Sequence, residues 1–412
     1  MIHTRLLRKS GYCFYVLVFL YTHMVNAQVQ TITGKLYSNN EVVSIQITDG
    51  IISGIRSDGK GTYDQDIYIG PGLIDTQVNG YASISFSQDK LSISDIENVT
   101  KSMWKEGVTT YFPTVVSSPH ERIKNSFSVL ARAIEENNRM KLSIPGFFLE
   151  GPYISPIDGF RGAHNKDYVR LPDWQEFTEY IKASNNKIIL VGVAPEVEGA
   201  IPFIQKCKNA EINIALAHHN GTADLIHQAV NNGATVATHL GNGCANMINR
   251  HNNPLWPQLA EERITPSLIV DGHHLRPEEV KTFYKVKGPE NLMLVSDATM
   301  LAGMPAGTYT WDGKTVVMTE DGMLKYPEQD VLAGASFPVR HGVINVMKFT
   351  GCSLEDAITM ASTTPANTFN LDDRGEIAVG KRADLILFKL EDDQMKIEKT
   401  YLAGNLVYSA EK

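Results

Sequence analysis

The stretch INIALAHHNGTADLIHQAVNNGATVATHLGNG, residues 212–243, decides the fold. It holds two short apolar runs, 212–218 and 235–240, with an amphipathic helical stretch between them, and each run carries a histidine at or just before its end. A short apolar run, a helix and a second apolar run make a βα unit of the kind that builds a parallel sheet. Working outward, the same rhythm gives eight runs: 73–79, 109–116, 143–150, 188–195, 212–218, 235–240, 267–272 and 292–297. Helical stretches with a period near 3.6, such as SISDIENVTKSMWKEG (92–107) and HERIKNSFSVLARAIEENN (120–138), intervene. Eight such units predict an α/β protein with a distorted (β/α)8 TIM-type barrel over residues 71–371.

The flanks differ. Residues 28–70 alternate apolar and polar positions around turns at Asn39-Asn40 and Asp49-Gly50, and residues 372–412 behave alike around Asp392-Asp393 and Gly404-Asn405. A lone hairpin is marginal in water, so the two chain ends are expected to combine into one small β-sandwich module. After the eighth run, 307–328 reads as a β-hairpin insertion with turns at Asp312-Gly313 and Asp321-Gly322.

Composition is that of a globular chain: of 412 residues, 43% are hydrophobic and 20% charged, which excludes disorder as the main state. The net charge of -8, with both signs interspersed, leaves no footprint for nucleic acid or anionic lipid. At the N-terminus Arg5, Arg8 and Lys9 precede a short apolar run, 11–21, and a small-residue cleavage site at Val25-Asn26-Ala27. Residues 1–27 therefore read as a secretory leader. The apolar run falls well short of the roughly 18 to 20 residues a membrane span needs. Its removal takes away three positive and no acidic residues, moving the net charge from -8 to -11. Cys207, Cys244 and Cys352 then remain; three cysteines without paired spacing do not make a disulfide framework.

In a barrel of this kind chemistry sits at the C-terminal strand ends. There the sequence places Glu150 (FFLEGP), His218-His219 (ALAHHNG), His239 (ATHLGN), Asp271 with His274 (VDGHH) and Asp297 (LVSDAT). A carboxylate and two imidazoles match the donor set of a hydrolytic metal, so Glu150, His218 and His239 are the candidate ligands. Adjacent strand residues point to opposite faces, so only one of His218 and His219 is expected to reach the metal. Asp297, in an otherwise apolar run, needs a partner: it is either a general base facing water or an N-cap for the next segment.

The ordered set PGLIDTQVNG, FFLEGPYIS with FRGAHN, VAPE, AHHNGT, THLGNG, DGHH, LVSDAT, LAGAS and GEIAVGKRADLILF resembles the amidohydrolase superfamily, and within it the N-acetylglucosamine-6-phosphate deacetylases. The likeness runs from about residue 30 to the C-terminus. It implies metal ligation by Glu150, His218 and His239 and general acid/base catalysis by Asp297. Many members carry His-x-His on the first strand for a second metal, where this chain has Gln77-Val78-Asn79. Neutral amides bind divalent transition metals poorly beside imidazole, which points to a single-metal site. By position, the resemblance also makes His164 a donor to the acetyl oxygen and His274 a substrate contact. Asn242 and Gly243 become sugar-phosphate contacts, Arg250 a phosphate ligand supplied by a neighbouring subunit, and Ala163 and Leu332, Ala333, Gly334 and Ala335 backbone-contact loops. Arginine's forked donors suit a phosphate. The segment after Arg250, HNNPLWPQLA, departs from the family's usual Arg-Glu-Pro-Gly.

The activity so implied is metal-dependent removal of the N-acetyl group from an amino sugar phosphate, giving acetate. One divalent ion is expected, Zn²⁺ first, with Fe²⁺, Co²⁺ and Mn²⁺ as alternatives. A homodimer is expected, with export across the inner membrane to the periplasm, or cytoplasmic residence if the leader does not function. Two other readings stay open. One keeps the chemistry on an unphosphorylated or galacto-configured N-acetyl amino sugar or an N-acyl amino acid; the other is a catalytically inactive barrel serving as a binding module.

Overall fold

Apolar residues on every strand need a double-sided burial, and the chain supplies it by closing its central strands into a ring. The computed structural model describes residues 29–57, 64, 66–311, 313–327 and 331–410. The leader and Asp312 lie outside the described residues. Eight strands run parallel and in sequence order around the ring: Leu73–Val78, Val108–Val116, Phe147–Glu150, Ile188–Val193, Asn213–Leu216, Ala234–Ala237, Thr265–Ile269 and Met293–Val295. First and last strands meet just beyond the final one, where Asp297 N donates to Gln77 O at 3.1 Å and Val78 bridges Ala298.

One end of the barrel is plugged. Phe112, Phe148, Leu190, Ala215, Val236 and Met293, from six different strands, cluster with Phe369, whose ring meets Phe112 edge-on at 4.9 Å. Burying each such large side chain contributes roughly 1.5–3 kcal/mol. Since side chains two apart on a strand share a face, Phe148 in this plug puts Glu150 on the interior at the opposite, polar end.

The helices cover the outside. Ile93–Lys105 starts at a capping box between Ser92 and Asp95 and buries Ile96, Val99, Thr100, Met103 and Trp104, a stripe with helical spacing. The third run is shorter than the sequence suggested. Asn137 accepts from Arg139 N and Met140 N and starts a helix, Asn138–Ser143, so the strand begins only at Phe147.

The two chain ends meet in one seven-stranded sheet. Its order is Asn405–Ser409, Gln394–Leu402, Leu385–Glu391, Tyr68–Pro71, Val29–Leu36, Val42–Thr48 and Ile51–Arg56. The sheet curls until Ile52 N donates to Lys381 O and Ala383 N to Gly50 O, enclosing Ile32, Val43, Ile45, Ile47, Ile52, Ile69, Leu385 and Tyr401. Ile386, Phe388, Met395 and Ile397 pack into the main barrel core instead. The insertion is a four-stranded antiparallel sheet, Gly307–Trp311, Lys314–Met318, Leu324–Tyr326 and Val331–Leu332. It runs past residue 328 and delivers Leu332 and the residues after it to the polar end.

Candidate active site

Three of the strand-end residues leave their strands through left-handed backbone. His218, His239 and Asp297 have φ of 48°, 31° and 51°, each two residues after its strand stops. For non-glycine residues this region is strained by about 1–3 kcal/mol and clusters at functional sites. The expectation that strand alternation separates His218 from His219 gives way to this turn. His218 faces the cleft, while His219 is turned from it, with Nδ1 accepting from Gly221 N at 3.1 Å.

The side chains converge on Glu150. Its Oε1 lies 2.9 Å from His239 Nε2 and 3.3 Å from His218 Nε2. His218 Nδ1–H donates to the Phe160 carbonyl at 3.1 Å, which leaves Nε2 as the lone-pair nitrogen. A lone pair aimed at a carboxylate oxygen is repulsive unless a cation, a proton or a metal ion, lies between them. Burial alone would raise the Glu150 carboxyl, but the two histidines hold it well below the usual carboxylate range. With one carboxylate and two imidazoles all buried together, Glu150, His218 and His239 fit a divalent transition metal. His164 belongs to the same cluster: its ligand atom and those of Glu150 and His218 lie within 4.8 Å of one another.

Gln77 and Asn79 tie this cluster to Asp297. Gln77 Nε2 donates to Glu150 Oε1 and Asp297 Oδ1, both at 2.9 Å, and Asn79 Nδ2 donates to Asp297 Oδ1 at 2.5 Å. Burial first, then the Glu150 charge, pushes Asp297 up to about 7, against the pull of His239, His274 and Asn79. A carboxyl so placed can exchange a proton near neutrality. Burial pushes His164 down to about 3, so its imidazole is neutral, with Nδ1 2.9 Å from Ser117 Oγ. His274 is held by Asp271, whose Oδ2 lies 2.8 Å from His274 Nδ1.

A cleft of about 800 Å³ opens over these groups. Its walls include Ala163, His164, Asn242, His274, Leu332, Ala333 and Gly334 from the sequence-derived set. Gly243 packs behind the ligands: a Cβ there would come within 3.0 Å of His218 N and 3.3 Å of His239 Cε1. Gly334, at φ 67°, lets its loop pass Asp297, and Ala335 N donates to Asp297 O at 3.1 Å. Arg250 is exposed and lies outside the lining of its own chain's cleft, with its carbonyl accepting from Trp256 Nε1 at 3.0 Å. Cys244 lines the cleft, but burial pushes its thiol up and Sγ rests 3.4 Å from Gly241 O, so it is no nucleophile.

Sequence reasoning missed the bridging by Gln77 and Asn79, the support of His164 by Ser117, and the wall formed by Trp311, Lys314 and Tyr326 of the insertion. The Gln-Val-Asn departure on the first strand was the available signal for the first of these.

A parallel barrel that gathers a cation site and a second, high-pKa carboxyl at its C-terminal strand ends defines the class: a barrel hydrolase of the kind that works on a bound metal. Residues 68–407 match the amidohydrolase family, and the chain belongs to that family. N-acetylgalactosamine-6-phosphate deacetylase of Escherichia coli O157:H7 is 29% identical over 364 residues, 88% of this chain and 94% of that protein. N-acetylglucosamine-6-phosphate deacetylase of Bacillus subtilis (strain 168) is 27% identical over 389 residues, 90% of this chain and 95% of that protein. Among solved structures, a variant of Mycobacterium smegmatis N-acetyl-D-glucosamine-6-phosphate deacetylase in complex with N-acetyl-D-glucosamine-6-phosphate superposes with a TM-score of 0.82 at 25% identity. That match covers 92% of this chain and 100% of that one.

Proposed function

We propose that the protein hydrolyses the N-acetyl group of N-acetylglucosamine-6-phosphate, giving glucosamine-6-phosphate and acetate. The observation that carries this reading is the placement of Asp297 beside the Glu150–His218–His239 cluster, joined to it by the Gln77 amide. One divalent ion, Zn²⁺ first, would be held by Glu150, His218 and His239, where it supplies Lewis acidity toward a carbonyl and acidifies water.

The chain's own groups account for the rest. Asp297 takes the proton of the attacking water and returns it to the departing nitrogen as the amide C–N bond breaks. With the Ser117 hydroxyl donating to His164 Nδ1, Nε2 carries the imidazole proton and donates to the developing oxyanion. His274, oriented by Asp271, and Asn242 hold the sugar. Arg250 binds the phosphate of the substrate in a neighbouring subunit of a homodimer, which is why it stands outside its own cleft. The leader directs the chain to export, placing the reaction in the periplasm.

A galacto-configured substrate is the second reading, favoured by the likeness to the Escherichia coli N-acetylgalactosamine-6-phosphate enzyme. The test is acetate release from each 6-phosphate by purified protein, before and after chelation and again with added Zn²⁺. Release that survives complete chelation contradicts the proposal.

A further inference from the structure

The four-stranded insertion places an uncompensated positive charge on the cleft wall. Lys314, Trp311 and Tyr326 all line the cleft. Lys314 and Trp311 face each other across the first hairpin of the insertion, and Trp311 stacks on Tyr326 with ring centroids 6.5 Å apart. Lys314 Nζ lies over the same Tyr326 ring, 5.5 Å from its centroid, and has no ion pair among the described residues. The other two lysine or arginine side chains of the cleft wall have carboxylates beside them. Arg122 Nε lies 2.6 Å from Asp89 Oδ1, and Arg276 is followed by Glu279, whose Oε2 accepts the Arg276 backbone N–H at 2.8 Å.

A ring face attracts an ammonium group without using up its three N–H donors, so Lys314 remains open to an anion. Laid over Tyr326 and flanked by Trp311, its stem also has less freedom left to lose on binding; fixing a free lysine costs up to about 2 kcal/mol. The wall is fastened to the reacting centre. Tyr326 pairs with Val331, and the chain then runs on to Ala335, whose N donates to Asp297 O at 3.1 Å.

In a 2-acetamido sugar 6-phosphate the acetamido nitrogen and the phosphate stand at opposite ends of the pyranose. A substrate with its nitrogen at Asp297 therefore carries its phosphate out to the cleft wall. That phosphate bears a charge of about -1.5 to -2 at neutral pH, more than one cation offsets. We infer that Lys314 is the cation this chain itself supplies to the substrate phosphate, so that the insertion, and not Arg250 alone, selects phosphorylated over free sugars. The inference rests on the deacetylase reading of the cleft and adds to it a specificity-determining residue.

The experiment measures kcat/KM for N-acetylglucosamine-6-phosphate and for N-acetylglucosamine on the zinc-loaded protein and takes their ratio within each variant, so that a loss of folded protein, which lowers both rates alike, does not move it. Lys314→Met keeps a stem over Tyr326 and removes the charge; the ratio of phosphate ester to free sugar is expected to fall by roughly tenfold. Lys314→Glu should lower it further, and Lys314→Arg should keep most of it, an order set by charge that a structural role would not produce. Lys325→Met removes the same charge from the neighbouring strand, outside the cleft lining, and should leave the ratio near the wild-type value. A wild-type preference for the phosphate ester that survives in Lys314→Met, or that falls equally in Lys325→Met, would overturn the inference and leave the deacetylase reading standing. Wild-type protein that cleaves neither sugar, or does not prefer the phosphate ester, would overturn that reading and the inference with it.

Discussion

Glu150 and Asp297, carboxylates at the ends of the third and eighth barrel strands, are joined through one nitrogen: Gln77 Nε2 donates to both at 2.9 Å. Both protons of that amide are consumed by the two acids, so Gln77 sets their separation and orientation together. The first strand here supplies the amides that hold the acid pair.

Gln77→Ala should therefore weaken metal binding and turnover together, each by roughly tenfold to a hundredfold, the usual cost of removing an outer hydrogen bond from a metal site. Metal content after dialysis and kcat on the same preparation check this. Loss of neither would show that the bridge is incidental.

Replacing the acid/base group separates chemistry from metal retention. Asp297→Asn keeps the size and can still meet Asn79 and Gln77, so bound metal should stay near wild type while kcat falls by roughly 10²–10⁴-fold. Near-normal turnover would remove Asp297 from the mechanism.

Much of this site was legible in the sequence, for a physical reason. Barrel strands are buried on both faces, so a polar residue at the end of an apolar run is a candidate for the cleft, as Glu150, His218, His239 and Asp297 demonstrate, although His219 turns away from it. His164 and His274 reach the same cleft from loops. What stayed hidden carries no periodic or charge signal. Gln77 and Asn79 are neutral amides whose value lies in two donated protons, and the left-handed turns at 218, 239 and 297 use no glycine that would announce them. The third strand starts later than residue 143 because Ile144, Pro145 and Gly146 form a linker to it from a short helix, Asn138–Ser143, whose start is set by the Asn137 cap.

Asp75 makes a pH-dependent contribution to stability. Burial pushes its carboxyl up to about 6, while hydrogen bonds from Ser296 and the Gln77 backbone pull the other way. The unfolded chain loses this proton near pH 4 and the folded chain near pH 6, so stability is lost as pH rises through that window. Asp75→Asn keeps an acceptor oxygen for Ser296 N and Gln77 N without the buried charge. The stability gap between variant and wild type should widen in the variant's favour by on the order of 2 kcal/mol from pH 4 to above pH 6. Denaturant unfolding across that range tests it, and parallel profiles would refute it.

Arg250 gives a prediction about assembly as well as substrate. Arg250→Ala should raise KM for a 6-phosphate by roughly 10- to 100-fold, the worth of a charge-assisted hydrogen bond to phosphate, and leave KM for the unphosphorylated sugar nearly unchanged. Equal effects on the two substrates would exclude it as the phosphate ligand. If Arg250 serves the neighbouring subunit as proposed, sedimentation of the wild-type protein should give a dimer, and a monomer at assay concentration would contradict that role.

The most direct test of the central claim is kcat/KM for acetate release by residues 28–412 on N-acetylglucosamine-6-phosphate and N-acetylglucosamine side by side, each with added Zn²⁺ and with chelator. Expected is a strong preference for the phosphate ester that disappears on chelation and returns with the metal. Equal rates on the two sugars, a preference for the free sugar, or activity indifferent to metal would contradict it.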